Sequence, residues 1–331
     1  HHLDPAARSR SGCQEPAMHR FKVIGRDMVH RWEGNPLIGI DDLDFRCSNI
    51  LNAGVALCQG RTILLVTIED LAGYRSIHLA REGPDGRFHV EERPFMTRSS
   101  DPVARKHETG GVCDARLTLL DGVYYIMHVA QGEHGFRLAL AKTTDFVEIE
   151  HIGLVSEPDT KGGALFPRKI AGRFARIERP GEGRSLWASY SDDLVYWGGA
   201  ELVITPRGGY WDPSWIGIGP PPFEIAEGWL VIYYGAKDTS SGPIYRLGAV
   251  VLDRENPTEV LGRSDTPILT PRERYERIGD LPNIVFSTGA ILDGKTGELR
   301  IYYGAADSCI CLGTAGVQQI VDHCLGGGGG R

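Results

Sequence analysis

Short runs of alternating apolar and polar residues dominate the chain. Clear examples are RTILLVTIE (61–69), GVYYIMHVA (122–130), RFARIERP (173–180) and GWLVIYYG (228–235). A period of two places successive side chains on opposite faces of a β-strand. No stretch of about twelve or more residues shows the period of an amphipathic helix, and the best short helical segment lies at 96–108. The chain is therefore predicted to be all-β.

The predicted strands recur in five units of similar plan, with a period on the order of 50–65 residues. Each unit has a strand, a tight turn that holds glycine (QGR, LDG, IAG, AEG or DGK), a second strand of aromatic and aliphatic residues, a polar loop and a third strand. Such repeats are typical of β-propellers, whose blades pack around a central funnel. The five units predict a five-bladed β-propeller. A β-sandwich is the alternative, but it gives no reason for the repetition.

One motif is present twice, as YYGAKD at 233–238 and YYGAAD at 302–307. Equivalent positions of successive blades converge on the funnel, so each copy is expected to turn the chain near the funnel mouth. By strand alternation, Tyr233 and Tyr302 are predicted to point into the blade core.

Charge and composition narrow the choice of partners. The 331 residues carry a net charge of −7, which argues against nucleic acid, because proteins that bind it present a basic face. No apolar run reaches roughly 18 residues, so no membrane span is expected.

The seven cysteines are scattered without a CxxC pair, which indicates reduced thiols and a cytoplasmic protein. The histidines lack metal-binding spacing, so neither a metal nor another cofactor is expected. A homo-oligomer stays open.

The two ends of the chain have the composition of linkers. Residues 1–17 resemble a tag and vector remnant, with Met18 as the expected native start, and 326–331 read as a flexible glycine-rich tail. The segment 18–325 is then predicted to be a single propeller domain.

Segments from about 30 to 315 together resemble glycoside hydrolase family 130. They include NAGVAL (52–57), CDARLTLLDGVYYI (113–126), KGGALFPRKI (161–170), YWDPSWIGIGPPP (210–222), GPIYRLGAVVLD (242–253), GDLPNIVFSTGAILD (279–293) and YYGAAD (302–307). The resemblance implies a five-bladed propeller that cleaves β-mannosidic bonds with inversion. It implies phosphate as the attacking group in most members, with release of mannose 1-phosphate, and water in a minority.

The resemblance also implies roles for individual residues. Asp114 matches the general acid, which must remain protonated to serve the leaving oxygen; a strand-capping role is the alternative. Phosphate is held best by guanidinium and ammonium groups. The candidates are Arg75, Lys161, Arg168, Arg179, Tyr234 and Tyr245, although each cation could instead form an ordinary salt bridge.

Two positions depart from the pattern of the phosphorylases. Trp215 stands where they usually carry lysine, and Tyr234 stands where they carry histidine. Losing two such contacts weakens phosphate capture by about 100-fold or more. An altered acceptor site with phosphate held elsewhere is the alternative explanation.

These departures favour hydrolysis, that is, an inverting β-mannosidase for small manno-oligosaccharides. Water then needs a carboxylate as base, and Glu178, next to Arg179, is the candidate; pairing with Arg179 is its alternative role. A β-mannoside phosphorylase, with inorganic phosphate as co-substrate, is the second hypothesis, and a non-catalytic glycan-binding propeller is the third. The predicted sugar contacts are Asn52, Tyr74, Trp211, Trp215, Tyr303 and Asp307.

Overall fold

A computed structural model describes residues 20–181 and 184–326. The predicted tag remnant at 1–17 and residues 327–331 of the predicted tail lie outside this range. The described chain is all-β, as the alternating pattern predicted. Among the described residues, no helix combines the length and the apolar character needed to cross a membrane.

In chain order the strands are β1 (Phe21–Lys22), β2 (His30–Trp32), β3 (Asn49–Cys58), β4 (Arg61–Glu69), β5 (Arg75–Glu82), β6 (Phe88–Val90), β7 (Gly111–Leu120), β8 (Val123–Gly132), β9 (Gly135–Thr143), β10 (Glu150–Leu154), β11 (Gly163–Leu165), β12 (Phe174–Glu178), β13 (Leu186–Ser191), β14 (Gly198–Ile204), β15 (Trp215–Ile218), β16 (Phe223–Glu224), β17 (Trp229–Lys237), β18 (Ile244–Leu252), β19 (Val260–Arg263), β20 (Val285–Leu292), β21 (Glu298–Ala305) and β22 (Cys309–Gly316). The helices are a 3₁₀ turn (Ile40–Asp42), α1 (Pro102–Arg105), α2 (Arg274–Arg277) and α3 (Val317–Gly326).

The strands form antiparallel groups that follow one another along the chain. One sheet runs β11-β12-β13-β14, and another runs β15-β17-β18-β19 with β16 beside β17. The largest runs β10-β9-β8-β7-β5-β4-β3, with β6 beside β5. Its two antiparallel halves, β3–β6 and β7–β10, meet through one parallel pair, Arg75 with Gly111. The last sheet runs β1-β2-β22-β21-β20 and so joins both ends of the described chain.

Apolar clusters pack each group onto the next. Ile77 of the first group (β3–β6) lies in one cluster with Ile126 of the second group (β7–β10). Similar clusters join the second group to the third (β11–β14), the third to the fourth (β15–β19), and the fourth to the last (β20–β22 with β1 and β2). A further cluster packs Ile50 and Leu64 of the first group against Tyr302 of the last. The described groups therefore close on themselves through their cores, and the first strands of the groups lie at the centre. Side-chain bonds between these first strands support that placement, for example from Thr118 on β7 to the Leu165 carbonyl on β11.

A buried ion network holds β2, which carries Arg31, against the last group. The Arg31 guanidinium has no exposed side-chain surface and lies 2.7 Å from Glu276 Oε1 and 3.0 Å from Asp27 Oδ2. Glu276 also accepts a 2.9 Å hydrogen bond from the Tyr303 hydroxyl. Because all these groups are desolvated, the network depends on every partner being present.

The doubled YYGA motif occupies β17 and β21. Tyr233 and Tyr302 are buried, which confirms their predicted place in the core. The glycine in each copy is required by close approach: a Cβ at Gly235 would collide with Asp212, and a Cβ at Gly304 would collide with the Asn52 side chain.

Two helices fall near segments discussed in the sequence. Helix α1 lies within the 96–108 segment, with Asp101 as its N-cap accepting from the Ala104 amide. Helix α3 was not predicted, and it extends to Gly326, which the sequence had assigned to the tail. Its buried residues Ile320, Val321 and Cys324 join the core between the last two groups, so tertiary packing explains a helix of only ten residues.

Candidate active site

A cavity opens where the first strands of the groups converge. It brings together nine of the predicted site residues: Asn52, Arg75, Asp114, Lys161, Arg179, Trp215, Tyr234, Tyr245 and Asp307.

Asp114 is held in the cavity wall by its neighbours on β3 and β4. Its Oδ1 accepts a 2.7 Å hydrogen bond from Asn52 Nδ2, and its amide donates to Thr67 Oγ1 at 3.1 Å. Asp114 and Asn52 both have positive φ, at 56° and 39°, and both lie at register shifts in their strands. Asn and Asp tolerate this conformation better than most residues. The two bulges therefore turn a carboxylate and an amide toward each other across two groups.

Arg116 lines the same cavity and was not singled out in the sequence. Its side chain is buried and donates to the carbonyls of Gly219 at 2.7 Å, Ile218 at 2.8 Å and Asp114 at 3.4 Å. Burial lowers the pKa of Arg116, opposed by the charge of Asp114. A lone arginine among the apolar positions of CDARLTLL is the signal that could have identified it. Arg116 ties the strand of Asp114 to β15.

Asp307 is the second carboxylate of the cavity. Burial and the nearby charge of Asp114 raise the pKa of Asp307 to about 6, while Arg75 and Lys161 oppose the shift. The backbone around it is fixed because Asn49 Nδ2 donates both to the Asp307 carbonyl and to Asp280 Oδ2. Asp307 therefore changes its charge close to neutral pH, in direct electrostatic contact with Asp114.

Besides Arg116, three cationic side chains line the cavity with these carboxylates. Arg75 is partly neutralised by Glu69, with Nε 3.1 Å from Oε2. Lys161 and Arg179 lie side by side, since the Arg179 amide donates to the Gly162 carbonyl and the Lys161 amide donates to the Arg179 carbonyl. Within residues 20–181 and 184–326, no carboxylate lies within 4.0 Å of the charged nitrogens of Lys161 or Arg179. The cavity wall thus carries two cations from neighbouring backbone positions, with Lys161 Nζ 4.6 Å from the centroid of the Phe136 ring, and both can attract an anion.

Aromatic rings form another part of the cavity wall. Tyr234 and Tyr245 stack in parallel with ring centroids 5.2 Å apart, and Trp215 Nε1 donates to the Tyr245 hydroxyl at 3.2 Å. Burial, with the neighbouring Tyr234, raises the pKa of Tyr245 to about 12, so its hydroxyl remains protonated and can donate. Gly217 leaves the space that the Tyr234 ring fills.

Glu178 and Arg168 lie outside this cavity, contrary to their predicted roles. Glu178 Oε2 is 2.6 Å from Arg176 Nη2, and both side chains line a separate cavity. Residues 176 and 178 share one face of β12, whereas Arg179 turns the other way. Arg168 forms exposed ion pairs with Glu224 and Glu255. Glu178 is therefore not placed as a base for water at Asp114, and Arg168 is not placed to hold phosphate there.

Three of the predicted sugar contacts are also elsewhere. Trp211 is buried and stacks on Tyr233 with ring centroids 5.5 Å apart. Tyr303 is fully buried and bonded to Glu276, so the prediction that it contacts sugar is corrected to a core role. Tyr74 is 40% exposed and lines a neighbouring cavity that shares Arg75 with the main one. Among the described residues, no group of three or more His, Cys, Asp or Glu side chains is arranged to hold a metal ion.

Proteins with similar sequences include phosphorylases that act on mannosides. A sequence profile described as β-1,4-mannooligosaccharide phosphorylase matches residues 73–325. The chain is 34% identical over 222 residues to a 1,2-β-oligomannan phosphorylase of Thermoanaerobacter sp. (strain X514), covering 66% of this chain and 71% of that protein. It is 28% identical over 311 residues to a β-1,4-mannooligosaccharide phosphorylase of Ruminococcus albus, covering 90% and 91%.

The solved structures include a similar fold over almost the whole described chain. The β-1,2-mannobiose phosphorylase of Listeria innocua, in complex with β-1,2-mannobiose, superposes with a TM-score of 0.81 at 28% identity. The match covers 89% of this chain and 99% of that one. The chain belongs to glycoside hydrolase family 130 and is a glycoside-active enzyme of that family.

Proposed function

We propose that the protein is an inverting β-mannoside phosphorylase, which transfers the terminal mannosyl group of a small manno-oligosaccharide to inorganic phosphate. The observation that carries this proposal is the pair Lys161 and Arg179, which face the cavity of Asp114 without a carboxylate partner among the described residues. Two cations without a carboxylate partner beside the proposed acid suit an anionic ligand, and inorganic phosphate is such a ligand.

The reaction assigns one role to each side of the cavity. A phosphate oxygen attacks the anomeric carbon, the glycosidic C–O bond breaks, and the leaving oxygen takes a proton that originates from Asp114, directly or through a sugar hydroxyl. The products are α-mannose 1-phosphate and a saccharide shortened by one residue. Lys161, Arg179 and the Tyr245 hydroxyl hold phosphate on the face opposite the leaving group, as inversion requires.

Asp307 and the aromatic wall have the chemistry to hold the sugar. An ionised Asp307 accepts hydrogen bonds from sugar hydroxyls, and Trp215 offers an apolar ring of intermediate exposure. Asn52 orients the Asp114 carboxyl through their 2.7 Å bond.

The sequence favoured hydrolysis because Trp215 and Tyr234 replace a lysine and a histidine. The geometry supports the phosphorylase alternative instead, since cations remain in the cavity while the proposed base, Glu178, lies outside it. The named relatives, all phosphorylases, support the same conclusion.

The architecture proposed for this function is a five-bladed β-propeller. Its support is the series of antiparallel groups, each packed on the next, with the last packed on the first. The first strands of the groups then line the central funnel, where Asn52, Asp114 and Trp215 meet.

Product analysis tests the proposal. The protein is incubated with β-1,2- and β-1,4-mannobiose with and without phosphate, and mannose 1-phosphate is separated from free mannose. Mannose 1-phosphate formed only with phosphate supports the proposal, and free mannose formed at the same rate without phosphate overturns it.

A further inference from the structure

The turn that carries Asp307 has a backbone conformation that is unfavourable for most residues. It joins β21 to β22, and the Ser308 amide closes it by donating to the Ala305 carbonyl at 3.0 Å. Ala306 and Asp307 both have positive φ, at 48° and 47°. Aspartate tolerates this left-handed region, but alanine adopts it rarely, because its Cβ then crowds the following carbonyl oxygen. The turn therefore needs contacts from other segments to keep Asp307 in the cavity.

One set of contacts comes from residues 279–284, which precede β20. The Leu281 amide donates to the Ala306 carbonyl at 3.1 Å, and the Ala306 amide donates to the Ile284 carbonyl at 2.9 Å. Gly279 permits this close approach, since a Cβ at that position would lie 2.5 Å from the Ala306 carbonyl oxygen. Residues 279–284 therefore fix the backbone of Ala306.

Asn49 on β3 provides a contact from the first group. Its side chain is buried, and its Nδ2 donates to the Asp307 carbonyl and, at 2.7 Å, to Asp280 Oδ2. Its Oδ1 accepts a 2.9 Å hydrogen bond from the Ile50 amide, which fixes the orientation of the side-chain amide. One buried amide group therefore joins the turn of Asp307 and the segment 279–284 to β3.

From this arrangement we propose that Asn49 is a positioning residue for sugar binding, which keeps the left-handed turn in the conformation that presents the Asp307 carboxylate to the cavity. The proposal rests on the proposed function for the sugar contact of Asp307, and it gives a role to a residue outside the cavity lining. Asn52 on the same strand holds Asp114, so β3 positions both carboxylates of the cavity.

Calorimetry in an Asp114→Asn background, which lacks the proposed acid, tests the proposal. It measures the affinity for the preferred β-mannobiose without phosphate, at a pH well above the pKa of Asp307. Asn49→Ala is expected to lower this affinity by about tenfold or more. Asn35→Ala is the matched control, because Asn35 holds β22 outside the cavity by donating to the Leu312 carbonyl at 2.8 Å. The control is expected to stay within about twofold of its parent. Equal affinities for Asn49→Ala and its parent overturn the proposal.

A rescue variant separates positioning from a general loss of packing. Glycine adopts positive φ as readily as negative φ, so Ala306→Gly lets the turn keep its conformation with fewer outside contacts. Added to Asn49→Ala, Ala306→Gly is expected to return the affinity to within about threefold of the parent. Without any recovery, the loss in Asn49→Ala is one of packing, and the positioning role is overturned.

Steady-state kinetics separates this proposal from the proposed function. In the otherwise unmodified protein, Asn49→Ala is expected to raise the KM for mannobiose by about tenfold and to leave the KM for phosphate within about twofold. Equal increases in the two KM values overturn the positioning role. Release of mannose without phosphate overturns the proposed function alone, because the calorimetric comparison does not depend on the attacking group.

Asp280→Ala decides the question if Asn49→Ala does not fold. Asp280 is exposed, so the variant is expected to fold, and it removes one of the two acceptors that hold the Asn49 amide in place. The affinity for mannobiose is expected to fall by about threefold, and an unchanged affinity overturns the proposal.

Discussion

Asn52 Nδ2 donates a 2.7 Å hydrogen bond to Asp114 Oδ1, joining β3 of the first group to β7 of the second. Both residues have positive φ and lie at strand bulges, and these two bulges direct the Asn52 amide and the Asp114 carboxylate toward each other. The carboxyl of Asp114, the proposed acid, is therefore positioned by an element other than its own strand.

The Asn52 amide can be separated from the Asn52 backbone by two substitutions. Asn52→Gly and Asn52→Ala both remove the hydrogen bond to Asp114, but only glycine accepts a φ of 39° without strain. We expect both variants to lose about tenfold to a hundredfold in kcat, with Asn52→Ala also less stable by about 1 kcal/mol. Steady-state kinetics and denaturant unfolding measure the two effects. Full activity in Asn52→Gly would show that the amide does not orient the acid.

The coupling between Asp114 and Asp307 predicts a pH dependence of sugar binding. The pKa of Asp307 is raised to about 6 by burial and by Asp114, so Asp307 is protonated below that pH and ionised above it. If the ionised form accepts hydroxyls, affinity for mannobiose without phosphate declines as the pH falls through about 6. Asp114→Asn removes one cause of the raised pKa, so the midpoint should move to lower pH. Calorimetric titrations at several pH values would contradict the coupling if the midpoint stayed in place.

The proposed phosphate site predicts a selective change in KM. Arg179→Gln removes a cation that has no carboxylate partner among the described residues, so we expect the KM for phosphate to rise by about tenfold or more while the KM for mannobiose changes little. Arg168→Gln is the matched control, because Arg168 pairs with Glu224 outside the cavity. Equal effects of the two substitutions on the KM for phosphate would argue against the assigned site.

Stability is expected to depend on Glu276, which is fully buried and bonded to Arg31 and Tyr303. Glu276→Gln leaves the buried Arg31 charge with only part of its compensation, and the expected loss in the free energy of unfolding is about 3–5 kcal/mol. Glu298→Gln, which breaks the exposed pair with Arg300, should cost no more than about 1 kcal/mol. Urea denaturation of both variants makes the comparison, and similar losses would contradict the role given to the buried network.

The alternating pattern was sufficient to predict an all-β chain, and the repeats predicted its succession of strand groups. The cavity could be predicted in part because Asp114, Lys161 and Asp307 lie in segments that resemble the family. Helix α3 escaped prediction because its stability comes from packing against the last two groups, which a local pattern does not reveal.

One error at the site comes from two positions that look equivalent in the sequence. Tyr234 and Tyr303 occupy the same place in the two YYGA copies, yet Tyr234 lines the cavity and Tyr303 binds buried Glu276. Which partner each copy meets depends on the neighbouring group, and that contact is distant in sequence. The prediction for Glu178 had a different cause. Glu178 pairs with Arg176, two residues earlier on the same face of β12, and the sequence alone does not show which cavity that face lines.

The central claim is that phosphate is the attacking group, and the products formed by the unmodified protein test it most directly. A ¹H and ³¹P NMR time course with the preferred mannobiose, run with and without phosphate, follows the anomeric products as they form. We expect α-mannose 1-phosphate in amounts equal to the substrate consumed, and negligible turnover without phosphate. Release of free mannose at an undiminished rate without phosphate would contradict it.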